Sequence, residues 1–126
     1  MCGILVCINQ KSTENKLFDA LDSMRHRGPD DSGFIKKNWF WAGFNRLSIL
    51  DLSKNGHQPM EGLPGQFILH NGEVYNFKEI RSELQSKGYS FKSNTDTEVI
   101  IKAFHAWGNN AFTKFIGMYA SVIIDQ

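Results

Sequence analysis

The chain opens with Met1-Cys2-Gly3-Ile4-Leu5-Val6-Cys7-Ile8, a short stretch that is almost entirely apolar and partly β-branched. Such a stretch predicts a buried strand over Cys2 to Ile8. Side chains alternate between the two faces of a strand, so Cys2 and Cys7 are expected on opposite faces. We therefore expect no disulfide between them, and two cysteines are too few for a disulfide scaffold.

Length and composition favour one globular domain. The chain has 126 residues, of which 41% are hydrophobic, so it can build a hydrophobic core without disulfides or bound metals to stabilise it. The net charge is +1 and no run of like charge stands out, which disfavours nucleic acid and membrane surfaces as partners. Apolar runs are strand-sized, well below the ~20 residues that span a bilayer, and the start does not have the pattern of a secretory signal. We expect a soluble, cytoplasmic protein.

Periodicity and turn signals predict both strands and helices. Strands over residues 33–36 and 39–44 are predicted to form a hairpin, and further strands are predicted over 46–52, 66–70 and 118–125. Asn71-Gly72 is predicted to end the strand at 66–70, with residues 73–75 continuing beyond it. Apolar residues at helical spacing predict helices over 17–24, 77–84 and 99–107, and a short helix is predicted over 111–115. Asn76 with Glu79 and Thr95 with Glu98 have the spacing of capping boxes. Strands followed by helices and a closing strand predict an α+β fold.

Cys2 is the first candidate for chemistry. If Met1 is removed, the thiol and the α-amine belong to one residue. The amine has an ordinary pKa of about 7.7 to 8.0 and the thiol one of about 8.5, so the amine can take the proton of the thiol near neutral pH. Cys2 would then be nucleophile and general base at once. The alternative is that Cys2 is simply a core residue of an apolar strand.

Asn71-Gly72 is the second candidate. An Asn amide and a Gly backbone N–H can donate together to a developing oxyanion. The alternative is that the pair only closes a tight turn.

Arg46, Glu73 and Asp96 could together bind the head group of a free amino acid. The Arg fork suits a carboxylate, and the acids suit an ammonium group. Taken singly, each has a plainer interpretation as a solvated or helix-capping residue. The four histidines have no partners at metal-ligand spacing, and no phosphate-binding glycine motif occurs, so we expect neither a metal site nor a nucleotide site.

Seven segments in order resemble the glutaminase domain of glutamine-hydrolysing asparagine synthetases, a branch of the class II glutamine amidotransferases. These segments are Met1-Cys-Gly-Ile4, Arg25-His-Arg-Gly-Pro-Asp-Asp-Ser-Gly33, Arg46-Leu-Ser-Ile-Leu-Asp-Leu52, Gln58-Pro-Met60, Asn71-Gly-Glu-Val-Tyr-Asn76, Thr95-Asp-Thr-Glu98 and Gly117-Met-Tyr-Ala120. Any one of these matches is weak evidence, but together, in the order of the family, they span nearly the whole chain. Two departures are Asn45, where the family often has His, and Tyr119, where it often has Phe.

The resemblance implies an N-terminal-nucleophile fold, with two stacked antiparallel sheets between helical layers (αββα). It implies that Cys2 attacks the side-chain amide of L-glutamine and that Asn71 and Gly72 form the oxyanion hole. The implied substrate-binding residues are Arg46, Leu47, Ser48, Ile49, Leu50, Glu73 and Asp96. Arg46 would hold the α-carboxylate, and Glu73 and Asp96 the α-ammonium group.

The resemblance further implies that residues 1–126 form the N-terminal part of one glutamine amidotransferase domain. The family's domain continues through more strands, so we expect this one to be incomplete and the synthetase domain to be absent. Ammonia would pass to a synthetase domain or subunit, which alone would need ATP and Mg²⁺ to activate aspartate. Alternatives are a non-catalytic fragment, a glutamine-binding or interaction module, and the glutaminase part of an amidotransferase with another acceptor. The oligomeric state is left open by the resemblance, with a homodimer as one form.

Overall fold

The computed structural model describes residues 1–9, 11 and 13–125, and it contains strands, α-helices and short 3₁₀ helices. The strands are β1 (Gly3–Ile8), β2 (Asp31–Lys36), β3 (Phe40–Arg46), β4 (Met60–Glu61), β5 (Phe67–Val74) and β6 (Gly117–Ile124). The α-helices are α1 (Glu14–Ser23), α2 (Phe77–Ser86) and α3 (Asp96–Trp107), and the 3₁₀ helices are Arg25–Arg27, Lys54–Gly56 and Gly108–Thr113. None of these helices is long and apolar enough to cross a membrane.

The strands form two antiparallel sheets that face each other. One sheet has the order β1-β3-β2 and the other the order β4-β5-β6. Alternate side chains of the central strand β3, Phe40 and Phe44 among them, pack against Phe67 and Leu69 of the central strand β5. This apolar layer between the sheets is the first part of the core.

Helices cover the outer faces of both sheets. On the first sheet, α1 packs Leu17 and Leu21 against Trp41 of β3, while α2 and α3 cover the second sheet. The predicted αββα layering is therefore confirmed. Cys2 packs in the layer between the sheets and Cys7 on the α1 side, and both thiols are free, as the alternation along β1 predicts.

The strand predicted over 46–52 is wrong, because only Arg46 belongs to a strand and the next residues form a loop. The buried guanidinium of Arg46 donates to the backbone carbonyls of Asp51 and Ser53, so the segment curls around its own arginine. Carbonyls bound in this way cannot pair with a neighbouring strand. Ile49 and Leu52 are exposed as a result, with Leu52 81% exposed.

The end predicted at Asn71-Gly72 is also wrong, although the prediction that the chain continues beyond it over 73–75 agrees with the structure as far as Val74. Strand β5 continues to Val74, because β6 pairs with it along its whole length, with Asn71 opposite Ala120 and Gly72 opposite Tyr119. Gly72 has φ +117°, and a Cβ there would collide with the carbonyl oxygen of Met118. Glycine is needed here for close pairing of two strands rather than for a turn.

The capping boxes are confirmed only in part. Thr95 caps α3, since its Oγ1 accepts from the N–H of Glu98 at 3.3 Å, but the Glu98 carboxylate accepts from Lys92 and Ser93 instead of reaching back. Asn76 precedes α2 without a side-chain capping bond among the described residues. Its side chain accepts from Ile116 N and donates to Lys114 O, which ties the start of α2 to the segment before β6.

Candidate active site

A cleft of about 260 Å³ opens at one end of the sandwich. Antiparallel pairing brings the start of β1 beside the end of β3, and the end of β5 beside the start of β6, at this same end. Nine of the ten predicted site residues line the cleft: Cys2, Arg46, Leu47, Ile49, Leu50, Asn71, Gly72, Glu73 and Asp96. Ser48, the tenth, does not line it, and its N–H donates to Asp30 Oδ2 at 2.7 Å.

Cys2 lies at the edge of the cleft, just before β1. Its Sγ accepts from the N–H of Leu47 at 3.3 Å, and its carbonyl oxygen accepts from Arg27 Nε at 3.0 Å. Both bonds join residues far apart in sequence, so the thiol is positioned by the fold and not by its own segment. Met1 also lines the cleft and is 65% exposed.

Arg46, the last residue of β3, brings a positive charge into the cleft wall. Its side chain is buried, and its guanidinium donates to Ser53 O at 2.9 Å and to Asp51 O. Carbonyls orient the guanidinium without neutralising it, and no ion pair to Arg46 forms within the described part of the chain. The fork therefore suits an anionic ligand.

Asp96, the first residue of α3, brings a negative charge to another wall. It is only 4% exposed, and its Oδ2 accepts from Val74 N at 2.9 Å and lies 3.1 Å from His70 Nε2. His70 Nδ1 lies 2.8 Å from Ser121 Oγ, so an Nε2–H that donates to Asp96 and an Nδ1 that accepts from Ser121 satisfy both ring nitrogens. The other carboxylate oxygen, Oδ1, has no hydrogen-bond partner in residues 1–9, 11 and 13–125.

Asn71 and Gly72 lie side by side on β5, at the cleft. Asn71 Oδ1 is buried, and no described residue donates to it. The amide of Asn71 is thus not fully used within the described structure, and its Nδ2 is a donor that can serve a group in the cleft. Glu73 follows on β5 and is exposed, and its carboxylate forms no hydrogen bond or ion pair with the described residues.

Sequence reasoning missed several residues of the cleft. Gln58 Oε1 accepts from His70 N at 2.6 Å, and its Nε2 donates to Thr97 Oγ1 at 3.2 Å, so it fixes β5 directly before Asn71. The signal for Gln58 was its place in a family segment, and that for His70 was its place next to Asn71. The other lining residues without a predicted role are Met1, Asp51, Gly56, Tyr75, Thr95, Thr97 and Met118.

Asp51 is the one cleft residue with a resolved pKa shift. The N–H of Asn94 and the hydroxyl and N–H of Ser53 donate to its carboxylate and lower its pKa to about 2. Asp51 is therefore charged at neutral pH. No cluster of three or more His, Cys, Asp or Glu side chains in the described segments is arranged to hold a metal ion.

Comparisons with known proteins identify the family of the chain. The family described as "Glutamine amidotransferase domain" matches residues 1–126. "Asparagine synthetase [glutamine-hydrolyzing] 1" of Bacillus subtilis (strain 168) is 37% identical over 130 residues, which cover 98% of this chain and 20% of that protein. "Asparagine synthetase [glutamine-hydrolyzing] 2" of Arabidopsis thaliana is 33% identical, over 99% of this chain and 22% of that protein. The chain thus spans about a fifth of the length of these relatives.

A solved structure supports the fold separately. Glutamine phosphoribosylpyrophosphate amidotransferase from B. subtilis, in complex with ADP and GMP, superimposes with a TM-score of 0.81 at 17% identity, over 97% of this chain and 35% of that one. At this identity the likeness bears on the fold, and it confirms the N-terminal-nucleophile architecture. Because the family match extends over every residue from 1 to 126, the chain belongs to the glutamine amidotransferase domain family.

Proposed function

We propose that this chain hydrolyses the side-chain amide of L-glutamine to glutamate and ammonia, with Cys2 as the nucleophile. The observation that carries the proposal is the cleft itself, where one space of about 260 Å³ is lined by Cys2, Arg46, Asn71-Gly72 and Asp96. These are a nucleophile, a cation, a pair of oxyanion donors and an anion, which is the set that hydrolysis of an amino-acid amide needs.

The two buried charges match the two charges of an α-amino acid. In this proposal, Arg46 binds the α-carboxylate with its fork. Asp96 binds the α-ammonium group through Oδ1, the oxygen that has no partner among the described residues. Glu73 supports this subsite from the wall of the cleft. The loop from Leu47 to Leu50 borders the substrate, and Ser48 secures that loop through its bond to Asp30.

The reaction takes place in two steps. The α-amine of Cys2, free once Met1 is removed, takes the thiol proton while Sγ attacks the amide carbon. The negative charge that develops on the amide oxygen is stabilised by Asn71 Nδ2 and the N–H of Gly72. Protonation of the leaving nitrogen releases ammonia and leaves a γ-glutamyl thioester, which water hydrolyses to glutamate and the free thiol.

The ammonia is proposed to serve asparagine synthesis. Supporting this, several relatives at 31–38% identity carry the name asparagine synthetase [glutamine-hydrolyzing]. Activation of aspartate with ATP and Mg²⁺ would then belong to a synthetase domain or subunit that receives the ammonia. An acceptor other than aspartate is the alternative.

Glutamate release tests the proposal. The chain is purified, removal of Met1 is verified by intact mass, and glutamate formed from L-glutamine is measured for the parent and for Cys2→Ala and Cys7→Ala. Hydrolysis that Cys2→Ala loses and Cys7→Ala keeps is the expected result, because Cys7 lies on the opposite face of β1. Equal rates for the parent and Cys2→Ala would contradict the proposal. Binding of glutamine without any turnover would instead favour a glutamine-binding module.

A further inference from the structure

We propose that Asp51 is a positioning residue that fixes the spacing between Arg46 and Asp96, and so makes the site selective for a ligand with both a carboxylate and an ammonium group. This inference rests on the proposed function and adds to it a determinant of selectivity.

Asp51 contacts one side of the cleft through its backbone. Its carbonyl oxygen accepts from the guanidinium of Arg46, and the carbonyl of Ser53 accepts from the same side chain at 2.9 Å. Gly56 leaves room for this arrangement, because a Cβ there would collide with the guanidinium. The position of Arg46 is thus coupled to that of Asp51.

Asp51 contacts the other side through its carboxylate. Oδ2 accepts from Asn94 N at 2.8 Å, and Oδ1 accepts from Ser53 N at 2.8 Å. Asn94 comes two residues before Asp96 and directly before Thr95, which caps α3. One residue therefore links the arginine at the end of β3 to the segment that presents Asp96 at the start of α3.

A second bond joins the same two segments outside the cleft. Asn55 Nδ2 donates to Lys92 O at 3.2 Å, but Asn55 does not line the cleft, and among the described residues its side chain forms no hydrogen bond with Arg46 or the segment 94–96. Asn55 is therefore a matched control. Its loss removes a cross-link between the segments without disturbing the bonds of Asp51.

The spacing of two charged groups matters only to a ligand that uses both. L-Glutamine carries the carboxylate and the ammonium group, whereas glutaramate, its deamino analogue, carries only the carboxylate and the amide. Loosening the bond between Asp51 and Asn94 should thus weaken glutamine binding and leave glutaramate binding nearly unchanged. A general loosening of the cleft would weaken the binding of both ligands equally.

The experiment measures binding of both ligands by isothermal titration calorimetry in the Cys2→Ala background, which prevents turnover. Asp51→Ala is expected to raise the Kd for L-glutamine about tenfold, the value of one charge-assisted hydrogen bond, and to change the Kd for glutaramate less than about twofold. Asp51→Asn keeps the shape of the side chain but has one acceptor oxygen for two N–H groups. Its Kd for L-glutamine should therefore fall between those of the parent and of Asp51→Ala. Asn55→Ala should match the parent.

In the active protein, which retains Cys2, Asp51→Ala should raise the KM for glutamine about tenfold and change kcat less than about threefold, because Asp51 acts on substrate binding. Equal weakening of both ligands, or an effect of Asn55→Ala as large as that of Asp51→Ala, would overturn the inference. An absence of glutamine binding by the parent in this background would instead count against the proposed function, and with it against this inference.

Discussion

Arg46 and Asp96 are buried charged side chains of opposite sign on two walls of the cleft. Backbone carbonyls bind the arginine, and a backbone N–H and the His70 imidazole contact the aspartate, while no carboxylate among the described residues lies within ion-pair distance of Arg46. Burial of a charge costs free energy unless its surroundings compensate for the lost water. A zwitterionic ligand would offset that cost at both residues, which is the physical basis for placing an amino acid here.

At Asn71, we expect Asn71→Ala to lower kcat for glutamine hydrolysis by roughly 10²–10³-fold, the usual effect of losing one oxyanion donor. The free energy of unfolding should change little, because no described residue bonds to Oδ1. The steady-state rate and a thermal melt provide the two measurements. Asn38→Ala, in the turn between β2 and β3, is the control and should leave the rate unaltered. An unchanged kcat in Asn71→Ala would mean that Asn71 is only a structural residue of β5.

At Arg46, we expect Arg46→Lys to raise the KM for glutamine about tenfold or more and to lower kcat by a smaller factor. An ammonium group keeps the charge, but it has neither the flat fork for a carboxylate nor the reach to hold the carbonyls of Asp51 and Ser53 together. Initial rates over a range of glutamine concentrations give both constants. A KM equal to that of the parent would remove Arg46 from the substrate subsite.

At the scale of elements, the pairing of β5 with β6 places the oxyanion donors. We expect Gly72→Ala to lower the free energy of unfolding by about 3 kcal/mol and to abolish hydrolysis, since a Cβ there collides with the Met118 carbonyl at a positive φ. Gly88→Ala is the matched control. Its φ is +92° but nothing lies within 4 Å of the added Cβ, so it should cost only about 1 kcal/mol. Denaturant unfolding compares the two, and equal losses would mean that backbone strain alone explains them.

Most elements could be predicted from the sequence, and the errors share one cause. The helices α1, α2 and α3 and the hairpin β2–β3 were predicted because periodicity is a local property. The segment 47–52 was predicted as a strand, although its hydrogen bonds go to Arg46 and not to a neighbouring strand. Asn71-Gly72 was predicted as a strand end, although β6, over 40 residues away in sequence, extends the strand. Both outcomes depend on partners that local pattern does not include.

At the scale of the whole molecule, Glu98 joins α3 to the segment before it. Burial raises its pKa, but bonds from Lys102, from the N–H groups of Lys92 and Ser93 and from the Ser93 hydroxyl outweigh burial and lower it below the ordinary 4.5. A lowered pKa in the folded state means that stability is fully present above about pH 4.5 and is lost as the pH falls towards the folded value.

We therefore expect Glu98→Gln to lower the free energy of unfolding at pH 7 by about 2 kcal/mol and to flatten its decline below pH 4.5. Glu83→Gln is the control, since Glu83 forms an exposed pair with Lys114 and should cost less than about 0.5 kcal/mol. Urea unfolding at several pH values measures both. If the free energy of unfolding of Glu98→Gln fell as steeply with decreasing pH as that of the parent, other carboxylates would be responsible for the acid sensitivity.

The sequence alone was enough for the α+β class, the opposite faces of Cys2 and Cys7, the main helices and the set of chemically capable residues. These follow from side-chain alternation, helical spacing and functional groups, which are properties of short segments. The cleft, the loop around Arg46 and the roles of Gln58, His70 and Asp51 came only with the folded structure. Each depends on hydrogen bonds between residues that meet when the two sheets stack and α3 closes over them, and the order of residues along the chain does not contain those distances.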